Sequence, residues 1–189
     1  MKILNIYSPN AITEATELLG SGHVIIYPTD TLYGLGADAL NSDAVEKISK
    51  IKGRLGPWSI AVSDFKMLKK FCSIPKLHSE FVRERLPGPV TMIFPGISKK
   101  LAPAVLGRNK SVGVRIPEHS FSQELISKFG RPITSTSVNK TGQSPLNNPS
   151  LIRKTFANEI DLILDAGILS PSSGSSIYDL SSKIPKKIR

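Results

Sequence analysis

The residues best suited to chemistry fall in three polar, glycine-punctuated runs: Pro28-Thr29-Asp30-Thr31-Leu32-Tyr33-Gly34-Leu35-Gly36, Lys52-Gly53-Arg54, and Thr134-Ser135-Thr136-Ser137-Val138-Asn139. Each begins where a regular element is expected to end, and loops at such ends are where binding groups are usually mounted on a rigid scaffold. Lys52 and Arg54 lie two apart beyond a helix stop, so an extended backbone would send both side chains to one side. Arginine offers a planar fork to phosphate oxygens and lysine a compact point charge, which suits a triphosphate whose charge shifts during transfer. Taken alone, a Lys-x-Arg pair is more often plain surface charge. Ser135, Ser137 and Asn139 repeat the spacing of two just past a strand. Their side chains donate and accept, and so could hold phosphate oxygens, a carboxylate or an amine, while turn chemistry leading to Gly142 is the plainer reading. Thr29, Thr31 and Tyr33 line up by the same alternation, which turns Asp30 the other way, as a structural residue or a magnesium ligand.

Several chemistries are excluded. Gly34-Leu35-Gly36 lacks the third glycine of a dinucleotide fingerprint and no Gly-x4-Gly-Lys-Ser/Thr run occurs, so an ATP site must be of another kind. His23, His78 and His119 are dispersed without ligand spacing, which argues against a histidine metal cluster. No neighbouring carboxylate pair and no Gly-x-Ser-x-Gly elbow point to a hydrolase. Cations and hydroxyls remain, and these favour anion positioning over attack by a side-chain nucleophile. Cys72 is the only cysteine, which leaves no internal disulfide, suits a reducing compartment and reads as a core filler.

The elements that must position these runs alternate. Lys2–Tyr7 reads as a strand, followed by a helix with Ser8 as N-cap and Pro9 at its first position, running to Gly20. Val24–Tyr27 is a buried strand, and the chain is irregular from there to Ala39. Asn41 or Ser42 caps a helix that ends at Gly53, and Ser59–Ser63 is a strand. Helices are expected at Phe65–Phe71 and Lys76–Leu86, and strands at Val90–Phe94 and Ser111–Ile116. A helix at Ser120–Phe129, a strand at Pro132–Thr136, a helix at Pro149–Phe156 and strands at Leu162–Leu164 and Ile177–Leu180 complete the chain. The fold class is therefore α/β mixed (α+β), a sheet covered by helices.

The 189 residues suit one domain, 1–189, with no second C-terminal domain. With 40% hydrophobic and 21% charged residues, the chain is ordinary for a globular protein. No apolar run is long enough to span a bilayer and the N-terminus does not read as a signal peptide, so the expected location is cytoplasmic. The formal charge is +10, and its placement is uneven: Lys47 to Arg115 holds 15 basic and 3 acidic residues, net +12, while the remainder is net −2. Such clustering points to an anionic partner, whether nucleotide, phosphate-rich substrate or RNA, against the plainer reading of a solvated basic face.

In order along the chain, Pro28–Gly36, Lys52-Gly53-Arg54, Pro87-Gly88-Pro89-Val90-Thr91, Ser111–Pro117, Ser137–Gly142 and Ser175–Leu180 together resemble the YrdC/TsaC family of threonylcarbamoyl-AMP synthases. Each motif is weak alone, and six in order over most of the chain are specific. The resemblance implies a twisted mixed sheet flanked by helices around a large basic cavity. It also implies a reaction that joins L-threonine, bicarbonate and ATP into threonylcarbamoyl-AMP and pyrophosphate. A partner transferase would pass the product to the adenosine beside the anticodon of ANN-decoding tRNAs. On this resemblance Lys52, Arg54, Ser137 and Asn139 are the catalytic set and, with Ser111 and Arg189, the ATP-binding set. Thr31, Ser63, Arg115, Ser135 and Ser175 would hold threonine, with Arg115 at its carboxylate. Magnesium is expected with ATP, bound largely by phosphates, and no organic cofactor.

Three positions depart from the family pattern: Leu55 stands where proline is usual, Trp58-Ser59-Ile60 where Pro-Leu follows, and Ser63 where many members have histidine. Two competing readings are a tRNA- or double-stranded-RNA-binding module without turnover, and carbamoyl transfer of the hydrogenase-maturation type. The second lacks its accompanying acylphosphatase and zinc-finger segments.

Overall fold

The computed structural model describes residues 1–189, and its elements follow the order β1 (Lys2–Asn5), α1 (Ala11–Gly20), β2 (Ile25–Tyr27), β3 (Gly34–Gly36), α2 (Ser42–Lys52), β4 (Ile60–Ala61), α3 (Phe65–Phe71), α4 (Ser79–Arg83), β5 (Val90–Pro95), β6 (Ser111–Arg115), α5 (Ser120–Phe129), β7 (Ile133–Thr134), β8 (Thr136–Ser137), α6 (Pro149–Phe156), β9 (Leu162–Asp165), β10 (Ser176–Asp179) and β11 (Lys186–Lys187). The α/β mixed class holds, and the strands divide between two mixed sheets. One has the order β1-β9-β2-β3-β8 and the other β11-β10-β5-β6-β4-β7. In the first, β1, β9 and β2 run parallel while β3 and β8 are antiparallel additions. In the second, parallel pairs (β10 with β5, β6 with β4) alternate with antiparallel ones. A continuous core of 46 buried residues includes strands of both sheets and the inner faces of the helices.

Local chemistry explains most boundaries. The Asn41 side chain accepts from Ala44 N at 3.1 Å and starts α2, while Asp64 accepts from Met67 N at 2.7 Å and starts α3. The end of α2 is a Schellman turn: Gly53 N donates to Lys50 O, Arg54 N donates to Ser49 O, and Gly53 takes the left-handed φ of 68° that favours glycine.

Four expectations are corrected. Ser8 and Pro9 do not open α1; Ser8 N bonds Asn5 O in a turn and the helix begins at Ala11. Lys76–Leu86 is not one helix. A 3-10 turn at Lys76–His78 precedes α4, and His78, at φ −107°, breaks the run as its imidazole meets Ser182 O at 2.8 Å. The strand at Pro132–Thr136 is split at Ser135, so β7 joins one sheet and β8 the other. β3 and β11 form inside stretches read as irregular or as chain end, where pairing across the sheet overrides the poor strand propensity of Gly and Lys.

Candidate active site

Period-two alternation along the six-stranded sheet builds the floor of a cavity. Thr91 and Ile93 of β5, Ser111, Gly113 and Arg115 of β6, and Ser175 and Ile177 at β10 all face it. The intervening Met92, Phe94, Val112 and Val114 are buried in the core on the opposite face. The chain crossing between sheets at Ser135, pinned by Ser135 N to Ser59 O at 2.7 Å, carries Ser135, Thr136 and Ser137 onto its wall. The cavity has a volume of about 290 Å³, and its lining includes Arg54, Arg115 and Arg189 with many hydroxyls and no carboxylate.

At one end, Lys52 closes α2 and turns inward, almost fully buried. Its Nζ donates to Ser137 O at 2.9 Å and to Asn139 Oδ1 at 2.7 Å. Asn139 Oδ1 also accepts from Ser137 Oγ at 2.6 Å, while its Nδ2 donates to Gln143 O and Lys140 O. Thr141 N donates to Lys52 O at 3.1 Å, so the end of α2 and the Ser-x-Asn loop are fastened together. Burial, reinforced by the nearby Arg54 charge, pulls the Lys52 ammonium down to about 8. An ammonium has three donors, and two are used within the protein. Lys52 therefore presents a charge with only neutral partners, the arrangement that favours an incoming anion.

At the other end, Arg115 Nη2 pairs with Asp30 Oδ1 at 2.5 Å and Nη1 donates to Thr31 Oγ1 at 3.1 Å. The two charged side chains are 6% and 9% exposed. Asp30 Oδ2 and Arg115 Nε are buried with no hydrogen-bond partner. Thr31 Oγ1 is within 3.1 Å of Thr29 Oγ1, and Ser175 Oγ within 2.8 Å of Thr91 Oγ1, so hydroxyls surround the guanidinium end. Arg189 closes the rim, donating through Nε and Nη2 to Ser175 O. The phenols of Tyr27 and Tyr33 are both pushed up to about 12 by burial, which keeps them neutral.

Of the expected site residues, Arg54, Ser111, Arg115, Ser135, Ser137, Ser175 and Arg189 line the cavity. Lys52, Asn139 and Thr31 stand directly behind it, each bonded to a lining residue. Ser63 does not line it. Its Oγ donates to Asp64 Oδ2 at 3.0 Å and supports the start of α3. Lys52 and Arg54 do not project from an extended strand as their spacing suggested, because the helix runs through Lys52 and Gly53 reverses the chain before Arg54. Asp30 does not face away; in a loop the alternation rule does not apply, and its carboxylate holds Arg115. Thr29, Tyr33, Trp58, Ser59, Thr91 and Ile177 also line the cavity and were not assigned to it from sequence. The alternation of Ser111-Val112-Gly113-Val114-Arg115 was the available signal for the floor. Cys72 is buried, as expected of a core filler, and burial pushes its thiol up to about 12.

The family model Sua5_yciO_yrdC, described as "Telomere recombination", matches residues 17–189. The chain belongs to the Sua5/YciO/YrdC family. Within this family it is 33% identical over 166 residues to the threonylcarbamoyl-AMP synthase of Coxiella burnetii strain RSA 493, a match spanning 86% of this chain and 88% of that one. Its structure is similar to that of Sua5 from P. abyssi complexed with L-threonine, with TM-score 0.91 and 29% identity over all of this chain and 57% of the other. The chain thus spans a little over half of that solved Sua5. It is also similar to E. coli YciO, with TM-score 0.88 and 26% identity, covering 100% of this chain and 92% of that one. No helix is long and apolar enough to cross a membrane.

Proposed function

We propose that this chain is a threonylcarbamoyl-AMP synthase, a nucleotidyltransferase that condenses L-threonine, bicarbonate and ATP. The observation that carries the reading is one cavity backed at one end by a lysine held by neutral oxygens and lined at the other by an arginine held by a carboxylate. Triphosphate belongs at the first and an amino-acid carboxylate at the second. Threonine's amine, carboxylated by bicarbonate with loss of water, provides a carbamate oxygen that attacks the α-phosphorus; the α–β phosphoanhydride breaks and pyrophosphate leaves.

The protein's share is alignment and charge stabilisation. Lys52 and Arg54 neutralise the departing pyrophosphate, Ser137 donates to phosphate oxygen, and Asn139 holds Lys52 and Ser137 in register. Arg115 takes the threonine carboxylate, with Thr31, Ser135 and Ser175 around it, and Ser111 and Arg189 bound the nucleotide. No cluster of three His, Cys, Asp or Glu side chains forms, so the residues do not fit a resident metal; magnesium enters as part of magnesium–ATP.

The test is product identity. Incubation with L-threonine, ¹³C-bicarbonate and magnesium–ATP should yield labelled threonylcarbamoyl-AMP by mass spectrometry; ATP consumed without that product overturns the reading.

A second role, docking of the tRNA acceptor or a double-stranded RNA, is favoured by one surface. Lys66, Lys69, Lys70, Lys99, Lys100, Arg108 and Lys110 are exposed and in no ion pair. Bonds from Ser73 N to Pro95 O, Ile97 N to Phe71 O and Gly96 N to Lys110 O stitch their segments together. RNA affinity that falls steeply with salt supports this role, and salt-insensitive or absent binding overturns it. A partner transferase would then receive the product.

A further inference from the structure

Arg54 is exposed beyond the α2 turn and has no carboxylate within ion-pair distance, yet it is not loose. Its guanidinium carbon lies 4.1 Å from the centre of the Trp58 ring, and Nη1 donates to Leu55 O at 2.8 Å. The ring beneath it is fixed. Trp58 is 1% exposed, its indole Nε1 donates to Ser49 Oγ at 2.9 Å, and its backbone N donates to Ala104 O at 3.2 Å. The backbone of the loop passes so close to Ala104 that a Cβ on Gly56 would lie 2.0 Å from that carbonyl oxygen. Ser49 belongs to α2, the helix that ends in Lys52. One indole therefore ties the helix bearing the first cation to the side chain of the second, and both Arg54 and Trp58 line the cavity.

We propose that Trp58 is the positioning residue for Arg54: the indole face seats the guanidinium at the cavity rim and fixes its placement relative to Lys52, so that the nucleotide phosphates meet both cations already oriented. This rests on the reading of the cavity as an ATP site. A guanidinium stacks through its face and donates hydrogen bonds through its edge, so the seat restrains Arg54 without using the donors an anion needs. A carboxylate partner would restrain it too, but would cancel the charge. Nε and Nη2 have no partner within the protein, which leaves an edge for phosphate oxygens. Lysine cannot use such a seat in the same way, because its ammonium has no plane to stack.

Trp58 is the only tryptophan, so emission from the chain reports this ring alone. In ligand-free protein, Arg54→Ala uncovers the ring face, shifts its emission and raises acrylamide quenching relative to the parent. Magnesium pyrophosphate changes the emission of the parent and not of Arg54→Ala. In steady-state assays Trp58→Leu lowers kcat/KM for magnesium–ATP roughly two- to fivefold, the size expected of an exposed cation–π contact, with KM for L-threonine unchanged. Trp58→Phe, which keeps an aromatic face, recovers most of that loss. Identical emission and quenching in Arg54→Ala and parent overturn the proposal, as does a Trp58→Leu defect that falls equally on threonine. If Trp58→Leu fails to fold, Trp58→Phe and the ligand-free emission comparison still decide. If the parent releases no pyrophosphate, the synthase reading fails while the emission comparison judges the seat separately.

Discussion

The two ends of the cavity hold cations in opposite ways. Lys52 is gripped by a backbone carbonyl and an amide oxygen, both neutral, and its ammonium is pulled down to about 8. Arg115 is gripped by the Asp30 carboxylate, so that pair carries little net charge and a fixed direction. The first arrangement keeps positive charge in reserve, at a cost in stability, for a ligand that brings negative charge. The second gives up charge to hold a fork at one angle. A basic cavity is thus two sites of different character, one for charge and one for shape.

Breaking the carboxylate-held end has the largest consequence for the fold. Asp30→Ala or Arg115→Ala leaves a buried charge without its partner, and each should cost about 3–5 kcal/mol in denaturant unfolding. The double variant should be more stable than either single one; a double variant that loses the sum of the two would mean the pair is not coupled. The lysine-held end should behave differently. Lys52→Ala removes a poorly compensated buried charge, so the fold survives by circular dichroism, while pyrophosphate release falls by about 10²–10³, as for loss of one preorganised stabilising donor. Equal rates in variant and parent would place the phosphates elsewhere.

A pH series sharpens the contrast. Above about 8 the Lys52 ammonium of the free protein loses its proton, so magnesium–ATP affinity should weaken by up to about tenfold per pH unit, and binding near pH 8 should take up protons. Lys52→Arg should flatten the profile. The same shift acts oppositely on stability. The folded chain binds fewer protons than the unfolded one between about 8 and the ordinary value of 10.5, so this group's contribution to stability rises with pH through that window. Calorimetric titration across pH 7–9.5 reads the affinity trend directly. The smallest effect on activity is expected at Ser63, whose hydroxyl bonds the Asp64 cap of α3 and does not line the cavity: Ser63→Ala should leave KM for threonine close to that of the parent.

Residue chemistry was legible in the sequence where it depended on type. Lys52, Arg54, Ser137 and Asn139 converge, and α5 and α6 span the residues expected of them, Ser120–Phe129 and Pro149–Phe156. Legibility failed where geometry depended on long-range partners. Alternation placed Lys52 beside Arg54, but it holds only for extended chain, and the Gly53 turn removed that condition. Asp30 was turned away by the same rule, although its partner Arg115 lies 85 residues on. Nothing local marks Ser135 as the crossing between sheets, because what pins it is Ser59 O, from a different part of the chain. Trp58 read as a departure from a family pattern, and only the fold shows the ring beneath Arg54.

The central claim is that one cavity takes triphosphate at Lys52 and threonine at Arg115. It is tested most directly by measuring pyrophosphate released from magnesium–ATP and bicarbonate, with and without L-threonine. The account predicts release that depends on L-threonine and is lowered by about 10²–10³ in Lys52→Ala at every threonine concentration. In Arg115→Lys, which retains a cation but not the fork, release should be restored only at raised threonine. Release that is indifferent to L-threonine, or an Arg115→Lys defect corrected by more ATP instead, would contradict it.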